Sequence, residues 1–326
     1  MKLLDALWYK KHPLYRLLIP FSLLYMLISR SRRWVLSRFF QQKWSVPVVV
    51  VGNISLGGVG KTPFVIALAE QAKARGLRVG IVSRGYSAQR KQFPYEVHYE
   101  DDARLVGDEP LLIAHRTQCP VIIDPNRRAA VDYLIKKYNC QMIISDDGLQ
   151  HYRMGRAIEI AIIDGTRGLG NSWCIPAGPL RESEERLQEV DFVVVNTGYW
   201  HKAYSMHLQP DKIKSLYNNQ EVIPSLRNLT WHAIAAIGNP QRFYSTLDEL
   251  GLKYNFRSYP DHYVFKAEDV ENKSSPIIMT EKDAVKCRLF SSNNMYYLPV
   301  NAALEDGFWD AFWSHKQLRG FLTGAL

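Results

Sequence analysis

Val46-Pro-Val-Val-Val-Val-Gly-Asn-Ile-Ser-Leu-Gly-Gly-Val-Gly-Lys-Thr62 joins an apolar, β-branched run to a glycine-rich turn ending in Lys-Thr. A valine run of this length suits a strand buried on both faces, as in a parallel sheet. Pro63-Phe-Val-Ile-Ala-Leu-Ala-Glu-Gln-Ala-Lys-Ala74 then reads as a helix, with Pro63 in the first turn where its missing N–H costs nothing. Strand, glycine turn and helix N-terminus together form an anion cradle: backbone N–H groups converge on a phosphate and the helix dipole favours it. The strict phosphate-loop pattern has glycine five residues before Gly60, and Ser55 stands there instead. Ser55, Gly57, Gly58, Val59, Gly60, Lys61 and Thr62 form the expected nucleotide-binding set. Lys61 is placed on the β/γ-phosphates and Thr62 on Mg²⁺.

The metal needs a carboxylate partner. Gln141-Met-Ile-Ile-Ser-Asp146-Asp147 supplies one, an apolar strand ending in two acids at what would be the C-terminal edge of the sheet. Further strands are expected at Leu77–Val82, Val121–Asp124, Ile158–Asp164 and Phe192–Val195, with helices at Asp108–Arg116 and Arg127–Lys137. This alternation predicts an α/β fold, a doubly wound, mostly parallel sheet of the phosphate-loop class. Residues 46–203 form that core. A polar, poorly periodic stretch at 204–224 reads as a linker, and 225–326 as a smaller α/β unit. In that unit Trp231–Ile237, Ile277–Thr280 and Tyr296–Val300 are the expected strands, and Gln241–Leu250 and Ala267–Asn272 the helices.

The chain of 326 residues carries a net charge of +9, which on its own suggests nucleic acid or an anionic membrane. The distribution decides. Residues 1–45 hold nine basic side chains and one acid, whereas the rest balances 32 basic against 31 acidic. A nucleic-acid interface needs a basic stripe on a folded face, and the body has no such excess. Within 1–45, Leu17–Ser29 is uncharged and too short for a bilayer span, about 20 Å as helix against about 30 Å of hydrocarbon. Leu14, Leu17, Leu18, Phe21, Leu24, Tyr25 and Ile28 share one helical stripe flanked by basic residues and aromatics. The segment is expected to lie in an anionic leaflet as an interfacial helix. Arg30-Ser-Arg-Arg33 excludes a signal-peptide cleavage site. Four widely separated cysteines fit reduced core residues.

Two acid–base candidates remain. Gly107-Asp108-Glu109-Pro110 places two carboxylates at a helix entrance, where Asp108 also suits simple capping. In the smaller unit, Tyr259-Pro-Asp261-His262-Tyr263 sets a histidine beside an acid in a turn. A cleft between the units is where Asp108 and His262 would meet.

VGNISLGGVGKTP (51–63), SRGY (83–86), GDEP (107–110) and DDGLQH (146–151) resemble the tetraacyldisaccharide 4′-kinase family, the lipid A 4′-kinases of Gram-negative bacteria. IPAGPLRE (175–182), IGNPQRF (237–243), PDH (260–262) and TEKDAVK (280–286) extend the resemblance in matching order over nearly the whole chain, the N-terminal helix included. Serine or threonine at Ser55 is this family's own departure from the phosphate-loop pattern; Leu149 replaces a common phenylalanine. The resemblance implies ATP-dependent, Mg²⁺-assisted phosphorylation of the 4′-hydroxyl of an acylated glucosamine disaccharide 1-phosphate at the cytoplasmic face of the inner membrane. It implies Lys61 on the nucleotide phosphates, and Thr62, Asp147 and Glu182 about the metal. It further implies Asp108 as the base with His262 paired to it. Glu109, Asp146 and His151 belong to the same motifs, and Arg127 is a candidate for substrate binding. The rival is a membrane-associated regulatory ATPase or GTPase. Its loops commonly carry lysine where Leu56 stands, and Lys282-Asp283 is out of register for guanine recognition.

Overall fold

The computed structural model describes residues 2–10, 12–86, 88–222, 229–271 and 275–322. Helix α1 (Lys2–Trp8) leads through a 3-10 turn at Pro13–Leu18 into α2 (Ile19–Phe39). Helix α2 runs on past Ser29 because its arginines are good helix formers on an exposed face. It docks through few residues. Ser22 is fully buried, its hydroxyl donating to the Cys174 carbonyl (2.8 Å) and accepting from Ala177 N–H (2.9 Å). The Tyr25 hydroxyl donates to the Arg181 carbonyl at 2.9 Å. Tyr25 thus leaves the stripe expected to lie in a leaflet and Leu18 is half-buried, whereas Leu14, Leu17, Phe21, Leu24 and Ile28 remain exposed. Among the described residues no helix is long and apolar enough to cross a membrane.

The core follows as β1 (Val48–Gly52), α3 (Lys61–Ala74), β2 (Val79–Ser83), β3 (Tyr95–Glu96), α4 (Ala103–Val106) and α5 (Asp108–Thr117). Next come β4 (Val121–Ile123), α6 (Arg127–Tyr138), β5 (Met142–Asp146), β6 (Ile158–Asp164), β7 (Phe192–Asn196) and β8 (Tyr204–Pro210). The smaller unit comprises β9 (Lys214–Ser215), β10 (Thr230–Ala235), α7 (Pro240–Glu249), β11 (Lys253–Ser258), β12 (Ile277–Thr280), α8 (Glu281–Cys287) and β13 (Met295–Leu298). The chain closes with β14 (Val300–Leu304), α9 (Phe308–Ser314) and α10 (Lys316–Leu322).

A nine-stranded sheet has the order β14-β8-β7-β6-β1-β5-β2-β4-β3, parallel except at its two edges, where β14 and β3 run antiparallel to their neighbours. Every residue of β1 is buried, between β5 and β6. Helices α3, α5, α9 and α10 contribute to the core on one face, and α6 with Tyr25 and Met26 of α2 to the core on the other. The second sheet, β11-β10-β12-β13-β9, is parallel apart from β9.

The stretch expected as a linker carries structure. Tyr204–Pro210 is strand β8, parallel to β7 and antiparallel to β14, and Lys214–Ser215 pairs with β13. Its polarity comes from half-exposure near the sheet edge, with only Met206 fully buried. Residues 223 and 224 of that stretch lie outside the described residues. The C-terminal residues also return to the first sheet: Phe308, Phe312 and Leu318 are fully buried in its core. The second unit is therefore an insertion between β8 and β14. The helix expected at 267–272 is a single 3-10 turn, Ala267–Asp269, with Asn272 outside the described residues.

Candidate active site

The loop from β1 to α3 turns on two glycines with positive φ, Gly57 (110°) and Gly60 (92°), conformations that L side chains rarely adopt. Nothing lies within 4 Å of where a side chain on Gly58 would begin, so the loop leaves open space there. Buried Asn53 braces the turn from within, its amide donating to the carbonyls of Ser55 (2.6 Å) and Gly57 (3.4 Å). Its Oδ1 accepts from Lys61 Nζ at 3.0 Å. Lys61 also lies 3.3 Å from Asp147 Oδ1, and Arg181 reaches Asp147 Oδ2 at 3.1 Å.

The two acids after β5 have opposite electrostatics. Burial works against the charge of Asp147, but the cations Lys61 and Arg181 outweigh it and hold its pKa below the usual carboxylate value. Asp146 is pushed up by burial and then by the charges of Glu109 and Asp147. Its Oδ2 accepts from the Ser83 hydroxyl at 3.2 Å, while buried Oδ1 has no hydrogen-bond partner. Such an orphaned carboxylate oxygen calls for a ligand or ordered water.

Asp108 begins α5 after Gly107 (φ 92°), where a Cβ would stand 3.0 Å from the Tyr86 carbonyl. Asp108 Oδ1 accepts from the Glu109 N–H (3.0 Å), and Oδ2 is 3.1 Å from His262 Nδ1. The pair is separated by 154 residues of chain and joins the two units. His262 sits in the left-handed region (φ 59°), its N–H donating to Asp261 Oδ1 at 3.0 Å. Burial alone would raise Asp108; the His262 hydrogen bond and the charges of Lys282, His262 and Lys286 outweigh it and bring the pKa down to about 2. His262 is raised, chiefly by its hydrogen bond to Asp108, against burial and the Lys282 charge.

Lys282, on α8, is the principal residue that motif reading left without a role. Its Nζ lies 2.9 Å from Glu109 Oε1, 3.7 Å from Asp108 Oδ2 and 3.8 Å from Asp261 Oδ1. Burial disfavours its charge, but these three acids outweigh it and raise its pKa. The signal was the lysine inside TEKDAVK, whose neighbours in space no spacing rule reveals.

Other candidates have protein partners already. Glu182 accepts from Gln150 Nε2 at 2.7 Å and from the Tyr152 hydroxyl, with Arg186 Nε 3.5 Å away. Arg127 is 3 % exposed and donates to the carbonyls of Asp124 (3.3 Å) and Asp146 (3.1 Å), tying the ends of β4 and β5 together. Burial lowers its pKa to about 10. His151 is brought down to about 4 by burial and by the charges of Arg127, Arg156 and Arg128. Its Nε2 is buried without a partner.

No three His, Cys, Asp or Glu side chains among the described residues gather into a metal cluster of their own. Asp146 and Asp147 at the end of β5, with Thr62 in the first turn of α3, offer one or two carboxylates and a hydroxyl, a donor set that suits Mg²⁺ bound together with substrate phosphates.

The family model for tetraacyldisaccharide-1-P 4′-kinase (LpxK) matches residues 14–317. A tetraacyldisaccharide 4′-kinase of Legionella pneumophila (strain Corby) is 56% identical over 317 residues, 97% of this chain and 98% of the relative. The enzyme of that name from Alcanivorax borkumensis is 46% identical over 309 residues, 93% of this chain and 94% of the relative. The crystal structure of Aquifex aeolicus LpxK in complex with ATP superposes with a TM-score of 0.81 at 27% identity, covering 94% of this chain and 99% of the other. The chain belongs to the tetraacyldisaccharide-1-P 4′-kinase family.

Proposed function

We propose that the protein transfers the γ-phosphoryl group of ATP to the 4′-hydroxyl of an acylated glucosamine disaccharide 1-phosphate, working at the cytoplasmic surface of the inner membrane. The observation that carries this reading is the Asp108–His262 pair, joined at 3.1 Å across two units of a chain that also carries a phosphate-loop strand, turn and helix. A regulatory nucleotide switch has no need of such a pair, whereas a kinase for an alcohol does.

A Mg²⁺ ion bound at the site would supply positive charge against the phosphate oxygens. Thr62, Asp147 and the unpartnered oxygen of Asp146 are the residues that would hold it; Glu182 is already engaged by Gln150, Tyr152 and Arg186. Lys61, now between Asn53 and Asp147, is within side-chain reach of the cradle and supplies a positive charge there. Phosphoryl transfer passes through a loose transition state, so alignment and charge stabilisation dominate. Asp108 is ionised at neutral pH and accepts the sugar hydroxyl's proton as the new oxygen–phosphorus bond forms. His262 holds Asp108 Oδ2 in place. Lys282 and Glu109 keep the pair charge-balanced, so the carboxylate is not left buried alone.

The exposed row of Leu17 in the 3-10 turn with Phe21, Leu24, Leu27 and Ile28 on α2, and exposed Arg32 beyond it, supports interfacial binding to an anionic leaflet, while Arg30 and Arg33 pair with Glu185 and Glu189 of the body. An acceptor with acyl chains in a bilayer requires a catalyst docked at its surface. The test is transfer of label from γ-labelled ATP to the purified disaccharide 1-phosphate lipid. Label in the lipid is expected; nucleotide hydrolysis without lipid labelling would overturn the reading.

A further inference from the structure

Strand β7 ends at Asn196, which is fully buried, and its side chain faces the underside of the phosphate loop. The Asn196 amide Nδ2 donates to the Val59 carbonyl at 3.0 Å. A side chain on Gly60 would begin only 2.5 Å from that nitrogen, so the loop rests directly on it. In a trans peptide the carbonyl and the next N–H point opposite ways. Holding the Val59 carbonyl down on Asn196 therefore turns the Gly60 N–H toward the open side of the loop.

An amide can present either end, and only one end can donate to a carbonyl. The choice is made from the other unit. Arg242, on α7, donates from Nη2 to Asn196 Oδ1 at 2.9 Å and also to the Thr197 hydroxyl. A guanidinium has donors and no acceptor, so it fixes Oδ1 toward itself and Nδ2 toward Val59. The weaker contact from Thr197 Oγ1, at 3.3 Å, acts on the same oxygen. We propose that Arg242 is a positioning residue for the nucleotide: acting through Asn196, it sets the phosphate loop in its binding shape only when the inserted unit is docked. The inference rests on the nucleotide reading above and extends it, since it makes ATP affinity depend on a residue of the second unit that acts through Asn196.

Binding of a fluorescent ATP analogue (mant-ATP) with Mg²⁺ and without acceptor tests this on the full-length protein. Arg242→Ala and Asn196→Ala are each expected to weaken binding by about tenfold, and the double variant by no more than either alone, because both break one relay. Arg242→Lys, which keeps the charge and one donor nitrogen but loses the guanidinium fork, falls between Arg242→Ala and wild type, and it carries the test if the alanine variant does not fold. In steady state the KM for ATP rises while the KM for the lipid stays within about twofold, a split that a merely structural contact would not produce. Binding within about twofold of wild type in Arg242→Ala, or losses that multiply in the double variant, would overturn the relay. Absence of binding by wild type would instead overturn the nucleotide reading itself.

Discussion

His262 titrates against Asp108, and the direction of each shift fixes what pH does. The hydrogen bond to Asp108 raises His262 above its ordinary 6.5, so the imidazolium persists to higher pH than a free one, and its hydrogen bond helps bring Asp108 down to about 2. For stability, a raised histidine contributes below its unfolded pKa and loses that contribution as pH rises through the folded value. The depressed Asp108 contributes above its unfolded pKa and loses it only as pH falls toward about 2. The attraction between the two is thus lost on the alkaline side first. For catalysis the sign is reversed, because a carboxylate beside a neutral imidazole is the stronger base. We expect kcat to rise with pH through an apparent pKa above 6.5, and that limb to be absent in His262→Ala. A pH–rate profile of the two proteins checks it, and superimposable profile shapes would contradict it. These two residues were legible in the sequence as motif members, and their pairing as an expectation from a cleft. Lys282, Asn53 and Arg181 were not, because their partners depend on which loops the two sheets bring together.

Elements divide in the same way. Strand β1, its loop and α3 are locally determined, since a valine run, glycines at the positive-φ turns and a helix with proline in its first turn agree at every level. Strands β8 and β14 escaped because an edge ladder takes mixed polarity, its pattern being set by the partner. Strand β11, an exposed edge with the sequence KYNFRS, was missed for that reason too. Helix α9 shows what the return of the chain contributes. Phe308 is fully buried, with Phe64, Phe192 and Tyr204 rings at 5.8, 5.7 and 5.2 Å. Phe308→Ala should cost about 3–5 kcal/mol, read as a fall in denaturant midpoint. If 300–322 were a loose appendage, the midpoint would not move. Helix α2 gives the opposite case, apolar side chains that fold without burial. Replacing exposed Leu17, Leu24 and Leu27 by serine should lower flotation with anionic vesicles by more than about tenfold and leave the melting transition in place. Unchanged flotation would remove α2 from the membrane contact.

At the scale of the whole molecule, charge and topology serve the same end. The basic excess of residues 1–45 sits on a separate helical segment, leaving a nearly neutral body. That body has its second unit inserted between β8 and β14, so both connections leave from one edge of the large sheet. Position at that edge lets α8 and the His262 turn reach back to α5, and α7 reach β7, closing the site from two directions. In the proposed mechanism Asp108 and His262, in contact at 3.1 Å, act as one group assembled from two units. The most direct measurement is a double-mutant cycle on turnover, with Asp108→Ala, His262→Ala and the double variant assayed with γ-labelled ATP and the disaccharide lipid, and ATP affinity measured alongside. Asp108→Ala should lose about 10²–10⁴ in kcat with ATP affinity nearly unchanged, and the double variant should be no slower than Asp108→Ala alone. Losses that multiply, or near-wild-type turnover in Asp108→Ala, would contradict a base shared across the cleft.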